Sequence, residues 1–129
     1  MDIGHLHLHV RDLPRAIAFY EHWFGLALRR EDDGIAFLGG SRSFLLALVA
    51  DEDPAAPPPW FHFGIPLTSA TAVRDFLVRM GAAGVPIAKP LYEDSGFASF
   101  RCLDPDGYAI ELYWDASMPA APPARSSPQ

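Results

Sequence analysis

A shift of 57 residues lays the second half of this chain on the first: His5 falls on His62, and the helical stripe Ala16, Phe19, Tyr20, Trp23 falls on Val73, Phe76, Leu77, Met80. Such a duplication constrains the fold strongly, because each copy must be one supersecondary unit with the same order of elements. In the first copy Ile3 to Val10 alternates strictly. His5, His7 and His9 share one face and Leu6, Leu8 and Val10 the other, the pattern of a strand with one apolar face. Asp12-Leu13-Pro14 opens a helix, since proline at a helix start loses no needed donor. Its stripe is Leu13, Ala16, Ile17, Tyr20 and Phe24, and Gly25 ends it as a left-handed cap. Short strands are expected over 27–31, 35–38 and 44–49, with turns at Asp33-Gly34 and Gly39-Gly40. The order is β-α-β-β-β.

The second copy begins at Trp60. Phe61, Phe63 and Ile65 lie on one face of a strand, with His62 and Gly64 on the other. A helix is expected over 69–80, ending near Gly81 to Gly84, and strands over 85–88, 98–103 and 108–114, with Lys89 to Gly96 as a loop. Asp104-Pro105-Asp106-Gly107 is turn chemistry: proline presets φ and glycine accepts φ > 0. The strand after it carries Ile110 and Leu112 on one face, and Ala109, Glu111 and Tyr113 on the other. The domain reading is a first module over 1–53, a proline-rich linker over 54–59, a second module over 60–115, and a Pro/Ala/Ser-rich, disordered tail over 116–129.

Composition narrows the function. Half of the 129 residues are hydrophobic, enough for a real core. A formal net charge of −6 argues against non-specific nucleic-acid or anionic-membrane binding. Cys102 is the only cysteine, so an intramolecular disulfide is impossible, as suits a reducing compartment. The N-terminus does not read as a secretory signal and no apolar run reaches the roughly 18 residues that span a bilayer. A cytoplasmic protein is the expectation.

Glu111 is a carboxylate inside an otherwise apolar strand. Either it faces water on an edge strand or a cation meets it, since an ionised carboxylate is expensive to bury alone. His5 and His62 stand at repeat-equivalent positions. Two imidazoles and one carboxylate, leaving positions open, make a site for a catalytic divalent metal. A lone strand histidine is ordinarily just an exposed or satisfied side chain; the recurrence points to more. His7 and His9 share the face of His5 and are candidates for a further ligand, a base or a substrate donor. Arg101 and Ser99 share a strand face, and Arg101 reads either as a partner for an anionic substrate group or as a solvated arginine. Cys102 reads as packing, and Gly39-Gly40 lacks the lysine of a phosphate loop.

The segments Gly4 to Leu13, Ala16 to Tyr20 with Phe24-Gly25-Leu26, and Leu103 to Leu112 resemble the vicinal oxygen chelate superfamily, which holds glyoxalase I, extradiol dioxygenases, fosfomycin-resistance enzymes and bleomycin-resistance proteins. The resemblance implies an α+β fold: two tandem βαβββ modules forming an open, curved eight-stranded mixed sheet with helices on the outside. It also implies a homodimer and a divalent transition metal (Fe, Mn, Ni or Zn) held by His5, His62 and Glu111, with the substrate chelating it through neighbouring oxygens. Ser99, Arg101 and Tyr113 become substrate-pocket candidates, and His7 and His9 catalytic candidates. Glyoxalase I enzymes have a further carboxylate near position 47, where this chain has alanine, which cannot ligate. Fosfomycin-resistance enzymes use only the His/His/Glu set, and their phosphonate-contacting hydroxyls fall at Ser95 and Ser99. Their first-strand threonine is His7 here, and their pocket tyrosine is Arg101. The expected function is therefore a metalloenzyme acting on a small chelating molecule, with lyase, dioxygenase and thiol transferase all open. The alternative is a non-catalytic dimer of bleomycin-resistance type that sequesters a drug, which Phe37, Trp60 and Tyr113 would suit.

Overall fold

Each helix starts where a side chain can replace the missing intrahelical acceptor. In the computed structural model, which describes residues 1–118, the first unit runs from Met1 to Ala56 and the second from Pro57. Unit 1 holds β1 (His5–Val10), α1 (Leu13–Phe24), β2 (Ala27–Asp32), β3 (Ile35–Gly39) and β4 (Leu45–Ala50). Unit 2 holds β5 (His62–Pro66), α2 (Ala70–Ala82), β6 (Ile87–Glu93), β7 (Phe97–Leu103) and β8 (Ala109–Asp115). Asp12 caps α1 by accepting from Arg15 N at 3.1 Å, and Ser69 caps α2 by accepting from Ala72 N at 3.0 Å. Gly25 closes α1 at φ 65°, its N–H returned to Glu21 O, the left-handed cap expected there.

The two sheets share one topology. Strand order is β1-β4-β3-β2 in unit 1 and β5-β8-β7-β6 in unit 2. In each, the first strand is parallel to the last and the remaining pairs are antiparallel. The duplicated βαβββ reading therefore stands as two four-stranded mixed sheets. α1 packs on β2, β3 and β4, and α2 on β6, β7 and β8. The core of unit 1 holds Leu8, Val10, Tyr20, Leu38 and Leu48, and that of unit 2 Val73, Met80, Phe100, Ile110 and Leu112, all sealed from solvent or nearly so. No helix among the described residues is long and apolar enough to cross a membrane.

One expectation fails. Lys89 to Gly96 is not a loop, because Lys89 to Glu93 belongs to β6. Pro90 and two shifts of register disguise it. A proline cannot donate to a ladder, and it is tolerated here because β6 is the sheet edge. At the start of the expected tail, Ala116 N returns to Gly96 O at 2.8 Å, and Ser117 N and Oγ both donate to Asp115 Oδ1. Residues 119–129 of that expected tail lie outside the described residues.

Cys102 sits on the helix face of β7 with no exposed surface, and burial pushes its thiol up to about 12. A thiol attacks only as thiolate. Iodoacetamide at neutral pH should leave the folded chain unlabelled and alkylate it in denaturant; mass spectrometry that found rapid labelling of the native protein would contradict this burial.

Candidate functional site

The turn that launches β8 is built by one buried carboxylate. Asp104, 4% exposed, accepts from Asp106 N and Tyr108 N at 2.9 Å each through Oδ1. Its carbonyl takes Gly107 N at 3.0 Å, and Gly107 has φ 88°. This Asx-type turn fixes the register of the strand that follows. With Ile110 and Leu112 fully buried toward α2, alternation sends Glu111 to the opposite face.

Register then decides what meets Glu111. Gly64 of β5 stands beside it on one side and Arg101 of β7 on the other, and Lys89 of β6 stands beyond Arg101. Ser99, one place along the same face of β7 and paired with Tyr113, donates to Glu111 Oε2 at 2.5 Å. Glu111 Oε1 lies 3.4 Å from His62 Nε2. Arg101 Nη2 lies 3.3 Å from the same nitrogen, and His62 Nδ1 lies 3.1 Å from Trp60 O. These partners assign the imidazole. A carbonyl can only accept, so Nδ1 carries the hydrogen; a guanidinium can only donate, so Nε2 is bare. Two acceptors, Nε2 and Oε1, thus stand 3.4 Å apart, with Arg101 Nη2 against the first.

Tyr113 comes close through an absence of side chain. A Cβ on Gly64 would fall 2.8 Å from Tyr113 Cε1, so the glycine makes the room that the ring occupies. Arg101 Nε is buried with no hydrogen-bond partner. An unmet buried donor is costly and marks a group arranged for something else.

The matching row in unit 1 has a different chemistry. His7 pairs with Ala47, Ala47 with Phe37 and Phe37 with Arg30, so Ala47 and Phe37 stand where Glu111 and Arg101 stand in unit 2. The guanidinium of Arg30 lies 4.6 Å from the centroid of the Phe37 ring. His5 and His7 are exposed neighbours, with ring centroids 5.1 Å apart. His9 separates itself from them: its Nδ1 meets Asp51 Oδ2 at 2.9 Å. That bond, with the Asp53 amide on the other oxygen, holds the Asp51 carboxyl below the usual carboxylate range.

Of the side chains singled out in the sequence, His62, Glu111, Ser99 and Arg101 form one hydrogen-bonded cluster in unit 2, with Tyr113 beside it. His5, His7 and His9 belong to β1 of unit 1. Among the described residues, no group of three or more His, Cys, Asp or Glu is gathered as a metal cluster; His62 and Glu111 are two donors within one unit. The pair nevertheless suits a divalent cation. Metal-binding histidines characteristically donate their other N–H to a carbonyl, as His62 does to Trp60, and ligating carboxylates are held by a further donor, as Ser99 holds Glu111. Sequence reasoning missed Trp60 O, Gly64, Lys89 and Asp51. Gly64 and Lys89 share the strand face of His62 and Arg101, which was the available signal; a backbone carbonyl gives none.

Comparison with known proteins places the chain as a whole. The chain is 32% identical to the uncharacterized protein PA2024 of Pseudomonas aeruginosa, over 98% of this chain and 96% of that one. A possible glyoxalase from Bacillus cereus superposes with TM-score 0.75 at 28% identity, covering 87% of this chain and 97% of the other. The fosfomycin resistance protein FosX from Listeria monocytogenes shares the fold, with TM-score 0.76 at 20% identity over 88% and 93% of the two chains. The family match extends over residues 2–112, from before β1 into β8, and so takes in both units and the turn that sets Glu111. With both repeats inside that span, the chain belongs to the Glyoxalase/Bleomycin resistance protein/Dioxygenase superfamily.

Proposed function

We propose that this protein is a divalent-metal-dependent enzyme acting on a small molecule that offers neighbouring oxygen donors. The observation that carries the reading is the proximity of His62 Nε2 and Glu111 Oε1, 3.4 Å apart, with His62 oriented through Nδ1 by Trp60 O and Glu111 through Oε2 by Ser99. His62 and Glu111 would hold the ion, with His5, the repeat equivalent of His62, as the third protein ligand. Imidazole and carboxylate suit Fe(II), Mn(II), Ni(II) or Zn(II). When bound, such a cation acts as a Lewis acid and stabilises negative charge developing on a substrate oxygen.

The remaining roles belong to the chain itself. Ser99 keeps Glu111 in one orientation, and Trp60 O keeps His62 in one tautomer. Arg101, with Lys89 next to it in register, draws an anionic group of the substrate toward the cluster. Tyr113, packed across Gly64, flanks the substrate. Of the two catalytic candidates His9 has the oriented ring, its Nδ1 held by the Asp51 carboxylate, and would act as the base; His7 serves as a substrate donor. We further propose a cytoplasmic homodimer, since β2 is exposed along its whole length at a sheet edge that a second copy would cover.

Chelation tests the proposal. Protein loaded with each of the four metals should turn over at least one member of a panel holding a hemithioacetal, a catechol and fosfomycin with a thiol, and stripping the metal should abolish that turnover. No turnover, combined with bleomycin binding that survives chelation undiminished, would establish the sequestering protein instead. The absence of a carboxylate from the unit 1 row, where Ala47 and Phe37 stand in place of Glu111 and Arg101, is the feature that favours this second reading.

A further inference from the structure

We infer that Arg101 and the divalent cation compete for the same lone pair of His62, so that loading the site releases the guanidinium to hold the anionic end of the substrate. This rests on the metal reading above. The Nδ1–H of His62 is committed to Trp60 O, so Nε2 offers a single in-plane lone pair, and Arg101 Nη2 stands on it at 3.3 Å. A metal takes that lone pair at about 2.0–2.1 Å. Both cannot use it at once.

Three further observations support an exchange. First, Arg101 is poorly satisfied where it is, with Nε buried and unpartnered, so its present place is no deep minimum. Second, the cation accompanies the carboxylate. In unit 1, where Ala47 replaces Glu111, the position equivalent to Arg101 is Phe37, and the guanidinium of that row, Arg30, stands one strand further out; a guanidinium directly beside the central strand occurs where that strand carries the carboxylate. Third, Nε and Nη2 lie along one edge of the guanidinium. Once Nη2 leaves His62, both can donate to two oxygens of a carboxylate or phosphonate in the paired geometry such anions favour. Lys89, in register with Arg101, adds positive charge beside that edge. Metal first and anion second is the order this implies. Arg101 acts on the metal through His62, as a positioning residue.

The experiment is calorimetric titration of the full chain with Ni²⁺ alone. Arg101→Met should bind about tenfold tighter than the wild type, the factor expected when one charge-assisted hydrogen bond no longer has to be broken. Arg101→Lys keeps the charge but loses the planar fork and some reach. It should also bind tighter than the wild type. Wild-type affinity in Arg101→Lys would mean simple charge repulsion and overturn the exchange, as would wild-type or weaker affinity in Arg101→Met. His62→Ala separates the two claims. If it binds Ni²⁺ as well as the wild type, the metal reading itself fails; if it loses Ni²⁺ while Arg101→Met equals the wild type, the exchange alone fails.

Discussion

Phe100→Ala should destabilise the protein by about 3–5 kcal/mol, the usual cost of truncating a sealed aromatic core residue. Phe100 has no exposed surface and sits mid-strand in β7, with Leu112 opposite it on β8 and α2 over the same face. Removing the ring leaves a void between a helix and a sheet whose backbone ladders prevent collapse. Against a total stability of about 5–15 kcal/mol for a domain of this kind, that is a large share. Urea unfolding followed by tryptophan fluorescence measures it, and a loss below about 1 kcal/mol would mean that the helix does not pack as described. Because Phe100 lies one residue from both Ser99 and Arg101, the variant should also loosen the cluster.

Glu111→Gln is expected to separate stability from function. Glutamine keeps the shape of the side chain and can still accept from Ser99 Oγ, so folding should be nearly unchanged. It removes the negative charge, and it aims an amide N–H at His62 Nε2 from the position where Oε1 now stands 3.4 Å away. One ligand is lost and the other is blocked. Affinity for Ni²⁺ or Zn²⁺ should fall by more than about 100-fold, beyond the tenfold to 100-fold that outer-shell changes cost. Calorimetric titration gives the value, and a variant that binds within threefold of the wild type would remove Glu111 from the ligand set.

How far this was legible in the sequence depends on what kind of signal each part leaves. Strand alternation alone assigns His62, Glu111, Ser99 and Arg101 to strand faces, and the register of β7 on β8 then makes Arg101 and Glu111 neighbours. The offset that lays His5 on His62 also anticipates the common strand order of the two sheets. Ala47, singled out as the position of a missing carboxylate, is the register equivalent of Glu111. Other features leave no such trace. β6 was hidden because Pro90 reads as a breaker unless its strand is known to be an edge. Asp51 follows the last strand of the first module with no residue pattern to tie it to its partner His9, 42 residues earlier. The bond from Arg101 to His62 joins residues 39 apart, and the tautomer that it helps to fix depends on a tryptophan carbonyl, which no residue pattern encodes.

Elemental analysis of the purified chain beside His62→Ala and Glu111→Ala tests the metal claim most directly. About one divalent transition-metal ion per wild-type chain, and a small fraction of that in either variant, is the expected result for a site of open His/carboxylate type. Equal metal in all three proteins would contradict it.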